Sequence, residues 1–338
     1  MMSRRLWLCI PTLALLILAA TAQPIAAQAS QWEQIAPGGE TTCLRNAPYS
    51  FFHRADDPSR LLIYLLGGGA CWDVATCTTF AVDQIAPLPD TPLPGIFDFD
   101  NPANPLVDPA SPLANASIVA VAYCSGDLHG GDRENAYTDG ERRVRVQHRG
   151  AINAGAALAF AYERYPTLSE LLIAGSSAGG YGALIHAESI LTHYDAQIAD
   201  GTLNARVFAD ASPGIYPTAW NPSDYWGDYD ALDTAGLIAS RPNIPVGYYS
   251  NAADFVSTYA YTLQGGTLTE YDGRIADAAR ELAAAHPNFS AYIASGVDHT
   301  ILPLNTYYTL QVGESAFAAW FGAWLNGESV SDVFCEGC

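Results

Sequence analysis

Leu171-Leu172-Ile173-Ala174-Gly175-Ser176-Ser177-Ala178-Gly179-Gly180-Tyr181-Gly182-Ala183-Leu184 is the stretch that decides the architecture. An apolar run reads as a buried strand, and Leu184, Ile185, Ile190 and Leu191 continue at helical spacing. Between them Gly175-Ser176-Ser177-Ala178-Gly179 fits G-x-S-x-G, a sharp strand-to-helix turn with Ser177 at its apex. Such a turn strains the serine backbone, and glycines on either side let strand and helix approach. The hydroxyl then projects above the sheet beside a helix N-terminus. A glycine-rich turn without chemistry is the plainer alternative, but the strand and helix flanks favour the elbow. Ser176 lacks glycines at the required offsets and is expected to point into the packing.

Working outward, the same rhythm repeats. Continuous apolar runs at Leu61–Leu66, Ser117–Tyr123, Ala205–Ala209, Ile244–Tyr249 and Ser290–Ala294 read as strands covered on both faces. Helical patterns fall at about 150–164, 178–194 and 274–286, and Phe317, Trp320, Phe321, Trp324 and Leu325 form a stripe expected to be core. This alternation predicts an α/β fold with a mostly parallel sheet and long loops at its carboxyl edge, where such sheets bind ligands. Two loops stand out: the proline-rich 84–117, and 212–242 with Tyr216, Trp220, Tyr225, Trp226 and Tyr229.

A serine hydroxyl needs a base, and in this arrangement acid and histidine follow the serine in that order. His53, His129 and His148 come too early, while His186 and His193 ride the elbow helix. His286 precedes the strand at 290–294 and so falls at the wrong sheet edge. His299 follows that strand and satisfies both conditions. Asp254, after the strand at 244–249, is the preferred acid. Asp210, directly after 205–209, is the second candidate, and Asp298 is too close to His299 to reach back to its ring. Oxyanion donors are expected from the N–H of Ala178 and from Gly67-Gly68-Gly69-Ala70 after the first long strand, Gly69 or Ala70 supplying the amide.

Composition removes whole classes. All 15 basic residues are arginine, so neither a P-loop lysine nor a Schiff-base amine is present. A net charge of −20 argues against a nucleic-acid partner. Arg4-Arg5 and the apolar run Leu6–Ala20 read as an export signal, residues 1–29, cleaved at about 22 or 29. Its removal takes the net charge from −20 to −22 and leaves 30–338 as a single catalytic domain without a membrane span, secreted or periplasmic. Of the seven cysteines only Cys9 is lost with the leader. The short loops favour Cys71–Cys77 and Cys335–Cys338, leaving Cys43–Cys124, although six thiols allow other pairings. A zinc pair at Cys335 and Cys338 lacks a second pair to complete it. No metal or organic cofactor is required by this reading.

Gly67-Gly68-Gly69 with Cys71 nearby, Tyr123-Cys124-Ser125-Gly126-Asp127, Gly175 to Gly180, Asp254 and Asp298-His299-Thr300 together resemble the pectin acetylesterase family, which includes the animal Notum-like carboxylesterases. The resemblance covers about residues 40–300. It implies an α/β-hydrolase-like fold, a Ser177–His299–Asp254 triad, and the bridges Cys43–Cys124 and Cys71–Cys77. Ala70 stands where the family usually has tryptophan, with Trp72 two residues later, and Leu66 replaces an acidic residue. The expected activity is a secreted serine carboxylesterase removing acetyl from a carbohydrate such as pectin. A longer acyl chain on a protein or lipid is the alternative substrate, and a non-catalytic binding module on the same fold a further one. Trp72, His129, Trp220 and Trp226 are candidate substrate contacts. Arg142, Arg143, Arg145 and Arg149 read as a solvated helix start, or else as a patch for an anionic glycan.

Overall fold

The computed structural model describes residues 32–85, 93–227 and 233–338. The leader, residues 86–92 of the proline-rich loop and Tyr229 lie outside the described residues. Residues Gln31–Cys338 form one compact unit.

Among the described residues its centre is a nine-stranded sheet. In spatial order the strands are Glu33–Ile35, Phe51–Arg54, Ala116–Val121, Asp57–Leu65, Glu170–Ser176, Asn204–Asp210, Val246–Asn251, Phe289–Ala294 and Val333–Phe334. The first two strands pair antiparallel, as do the second and third, and every later neighbour is parallel. Ala116–Val121 is buried at every position, so continuous apolar sequence and not alternation marks these strands. The helices Gly150–Arg164, Ala178–His193, Arg274–Ala285 and Phe317–Leu325 accompany the sheet. Phe317 and Phe321 are fully buried, and Phe208 of the sheet meets the Phe321 ring edge-on at 4.8 Å. The fold is α/β-hydrolase-like, a mostly parallel sheet flanked by helices.

The parallel register places the loops that matter at one edge. Leu65 pairs with Gly175, Gly175 with Ala209, and Ser250 with Ile293. The glycines at 67–69, Ser177, Ala211, Asp254 and His299 therefore leave the sheet on the same side.

One segment differs from the sequence reading. Arg142, Arg143 and Arg145 lie on a strand, Arg142–His148, paired antiparallel with Arg133–Asp139, and only Arg149 caps a helix. Val144 and Val146 alternate with arginines, and Gly140 turns the hairpin at φ +74°. Arg142 pairs with Asp139 and Arg145 with Glu134 at 3.7 Å, so this hairpin offers no cluster of unpaired cations.

Candidate active site

Ser177 sits at φ 58°, ψ −127°, a backbone region that side chains other than hydrogen rarely enter. Its N–H donates to the Asp210 carbonyl at 2.8 Å, and its own carbonyl accepts Gly180 N–H at 2.9 Å. Glycine at 179 is a steric requirement: a Cβ there would stand 1.9 Å from the Leu65 carbonyl oxygen. The elbow thus clamps strand against helix and leaves Ser177 half-buried at the rim.

The His299 imidazole reaches this oxygen. Its Nε2 lies 2.7 Å from Ser177 Oγ, and its Nδ1 lies 2.8 Å from Asp254 Oδ2. With Nδ1–H donating to the carboxylate, Nε2 is free to accept the serine proton. Asp254 is fully buried and caps the helix Phe255–Leu263, where Val256 N–H and Ser257 N–H donate to Oδ1 at 2.9 and 3.2 Å. Ser257 Oγ donates to Oδ2 at 2.8 Å. These bonds fix the plane of the carboxylate, and the positive end of the helix faces its charge. Ser257 escaped the sequence reading, although Asp-x-x-Ser at a helix start is a capping pattern that could have found it.

Asp210 does not touch the imidazole. Its buried carboxylate accepts Ile301 N–H at 3.1 Å, Leu302 N–H at 3.0 Å and the hydroxyl of Ser176, which in turn meets Tyr64 Oη at 2.6 Å. Burial lifts its pKa to about 6, against the pull of these hydrogen bonds. Ser176 points inward, as its lack of glycine offsets suggested.

Opposite the serine lie Gly69 and Ala70. Among the described residues, none of the N–H groups of Gly69, Ala70 and Ala178 has a protein acceptor. They are therefore available to a developing oxyanion. The glycine loop is braced from behind. His129, only 1% exposed, donates from Nε2 to the Leu66 carbonyl at 2.8 Å. Burial drives its pKa down to about 3, so the ring is neutral. Asp127 accepts Ser125 Oγ at 2.6 Å and Gly150 N–H at 2.7 Å, and burial raises its pKa to about 6. Disulfides join Cys71 to Cys77, Cys43 to Cys124 and Cys335 to Cys338. Among the described residues, Cys71, Cys77 and His148 have metal-ligand proximity, but the two sulfurs are bonded to each other.

The expected substrate contacts Trp72, His129, Trp220 and Trp226 are all buried. Trp226 is fully buried and donates Nε1–H to the Cys71 carbonyl at 2.8 Å. Trp72 and Trp220 pack edge to face at 5.5 Å within an apolar cluster that also holds Ala178. His129 supports the loop from inside. These rings follow strands, but their loops fold back, so they form the foundation of the site. None of the four lines the cavity above Ser177. That cavity, of about 80 Å³, is walled by Gly69, Ala70, Tyr181, Val256, Tyr271 and His299 among others.

Fold and site together define the α/β-hydrolase class. A family model described as pectinacetylesterase matches residues 37–214, more than half of the chain. The chain belongs to the pectinacetylesterase family and is a hydrolase acting on carboxylic ester bonds. The matched region contains the glycine loop at 67–69 and Ser177, while Asp254 and His299 lie beyond it. A comparison with curated proteins finds no match. No helix among the described residues is long and apolar enough to cross a membrane.

Proposed function

We propose that the protein removes acetyl groups from carbohydrate hydroxyls through an acyl-enzyme on Ser177. The observation that carries this reading is the unbroken Asp254–His299–Ser177 chain, at 2.8 and 2.7 Å, opening on a cavity of about 80 Å³. His299 Nε2 takes the Ser177 proton as Oγ attacks the ester carbonyl. Amides of Ala178 and of Gly69 or Ala70 receive the oxyanion, and Asp254 stabilises the imidazolium. The imidazolium then protonates the departing sugar oxygen. Water, deprotonated by the same nitrogen, releases acetate and restores the serine.

Cavity size supports the short acyl group. A cavity that holds benzene is roughly 150 Å³, and drug-sized sites start at about 300 Å³. A space of this size suits an acetyl group better than a long acyl chain. The three disulfides and the leader motif support export to an oxidising compartment.

The test is a series of nitrophenyl esters. Turnover should be highest for acetate and fall steeply by octanoate, and Ser177→Ala should abolish it while the fold is retained. Full activity of that variant would falsify the serine mechanism, and a preference for octanoate would remove the acetyl assignment.

A further inference from the structure

Large exposed apolar side chains are not scattered over this molecule. Among the described residues all but Leu304 fall on segments 80–82, 255–268 and 297. Two of these segments meet around the candidate active site. Val256 lines the pocket above Ser177. Phe255 and Leu268, 63% and 64% exposed, line a second cavity of about 360 Å³. The two cavities share Tyr271 as a common wall. The Phe255 and Tyr259 rings are parallel to within 6° at 5.9 Å, and Tyr259 meets Phe80 edge-on at 5.6 Å. A run of aromatic faces thus extends from the helix capped by Asp254 to the segment behind the glycine loop, where Phe80 O lies against Gly69.

The charges are equally distinctive. Among the described residues lining the two cavities there is no arginine, and Asp272 lines the outer one. Arg274, close by in sequence, gives its guanidinium to the Tyr261 hydroxyl at 3.1 Å. Asp298 is exposed beside His299.

We infer that this outer groove, together with the exposed aromatic rim of Phe255, Tyr259 and Phe80 beside it, seats an uncharged sugar chain, with pyranose rings lying on Phe255 and Tyr259 while the acetyl group enters the inner pocket. The inference rests on the acetylesterase reading and narrows its substrate to a neutral or fully esterified glycan. Each face of a pyranose is a sheet of C–H bonds, which gains by leaving water for a flat aromatic surface. A chain of free uronate carboxylates meets Asp272, Asp298 and a net charge of −20, with no cation in the groove to receive it. A lipid surface fits the apolar rim, but the inner pocket of about 80 Å³ suits its long acyl chain less well than an acetyl group. Isolated exposed apolar residues are ordinary; their concentration on one rim marks a recognition surface.

Binding tests this without requiring turnover. In Ser177→Ala protein, calorimetry with acetylated xylotetraose should show binding, and a trigalacturonate oligomer at low salt should show none. Adding Phe255→Ala and Tyr259→Ala should weaken the xylotetraose complex by about tenfold or more. Leu304→Ala, an exposed apolar site outside the groove, serves as the control and should leave binding intact. All these side chains are exposed, so the thermal midpoint should hold in each variant. Unchanged affinity in the double variant, or tighter binding of the galacturonate, overturns the proposal. So does a dimer in sedimentation that the two substitutions dissociate, or activation by phosphatidylcholine vesicles. Turnover of nitrophenyl acetate by the unmodified enzyme is read separately, so failure of the esterase reading is distinguishable from failure of the groove.

Discussion

The backbone carbonyl of Asp210 accepts the N–H of Ser177 at 2.8 Å. The carboxylate of the same residue holds Ile301 and Leu302, just past His299. One buried residue, through its backbone carbonyl and its carboxylate, therefore ties the elbow to the histidine loop without bonding the imidazole. Asp210→Asn is expected to lower kcat by about 100-fold with KM within about twofold, because misplacing a reacting group by an ångström has that effect. The rate should be expressed per titrated active site, which removes any contribution from unfolded protein. An unchanged kcat per site would show that the His299 loop holds its position without this anchor.

Asp254→Asn keeps the helix cap but presents an amide that cannot orient and stabilise the imidazolium. Turnover of nitrophenyl acetate should fall by about 10⁴. Ser257→Ala removes one of the bonds to Oδ2 and should cost about tenfold in kcat/KM. Asp254→Asn at near-normal rates would direct attention to another acid.

Gly179→Ala forces a methyl group into the space 1.9 Å from the Leu65 carbonyl. Neither strand nor helix can yield without opening the elbow. Destabilisation of about 3 kcal/mol is expected in urea unfolding. A midpoint equal to that of the unmodified protein would mean that the elbow relaxes more freely than its packing implies.

Burial holds the His129 pKa near 3, well below its ordinary value of 6.5. Between those two values the unfolded chain binds a proton that the folded protein does not, so this residue lowers stability as pH falls below 6.5. His129→Gln removes that linkage. Its stability relative to the unmodified protein should therefore improve on acidification, by up to about 1.4 kcal/mol per pH unit. Urea titrations at pH 7.5, 6 and 5 measure it, and parallel curves for the two proteins would contradict a buried neutral ring.

Much of the fold was readable because parallel strands buried on both faces are simply apolar runs. Leu171–Ala174 and Ala205–Ala209 needed no partner to be recognised. The edge pieces were harder: Glu33–Ile35 and Val333–Phe334 are too short to carry a pattern, and the arginines of 142–145 masked the alternation of Val144 and Val146. At the site, chain order and sheet edge singled out Ser177 and His299 as the pair to examine. Choosing between Asp254 and Asp210 needed side-chain direction, since both end parallel strands. One carboxylate curls back to cap its own helix, and the other turns beneath the sheet edge toward Ser176. The burial of Trp72, Trp220 and Trp226 was not legible for a related reason: sequence shows that a ring follows a strand, not whether its loop folds outward or back into the core.

The bridge between Cys71 and Cys77 closes just behind Ala70, and the Cys71 carbonyl is also where Trp226 docks. Among the described residues no cysteine lines the cavity at Ser177, yet a reductant that opens this link is expected to slacken the segment that carries Gly69 and Ala70. Bacterial cytoplasm is thus a poor host for producing the enzyme. Material made there is expected to turn over more slowly than material made under oxidising conditions, and thiol-containing storage buffers are expected to lower its activity.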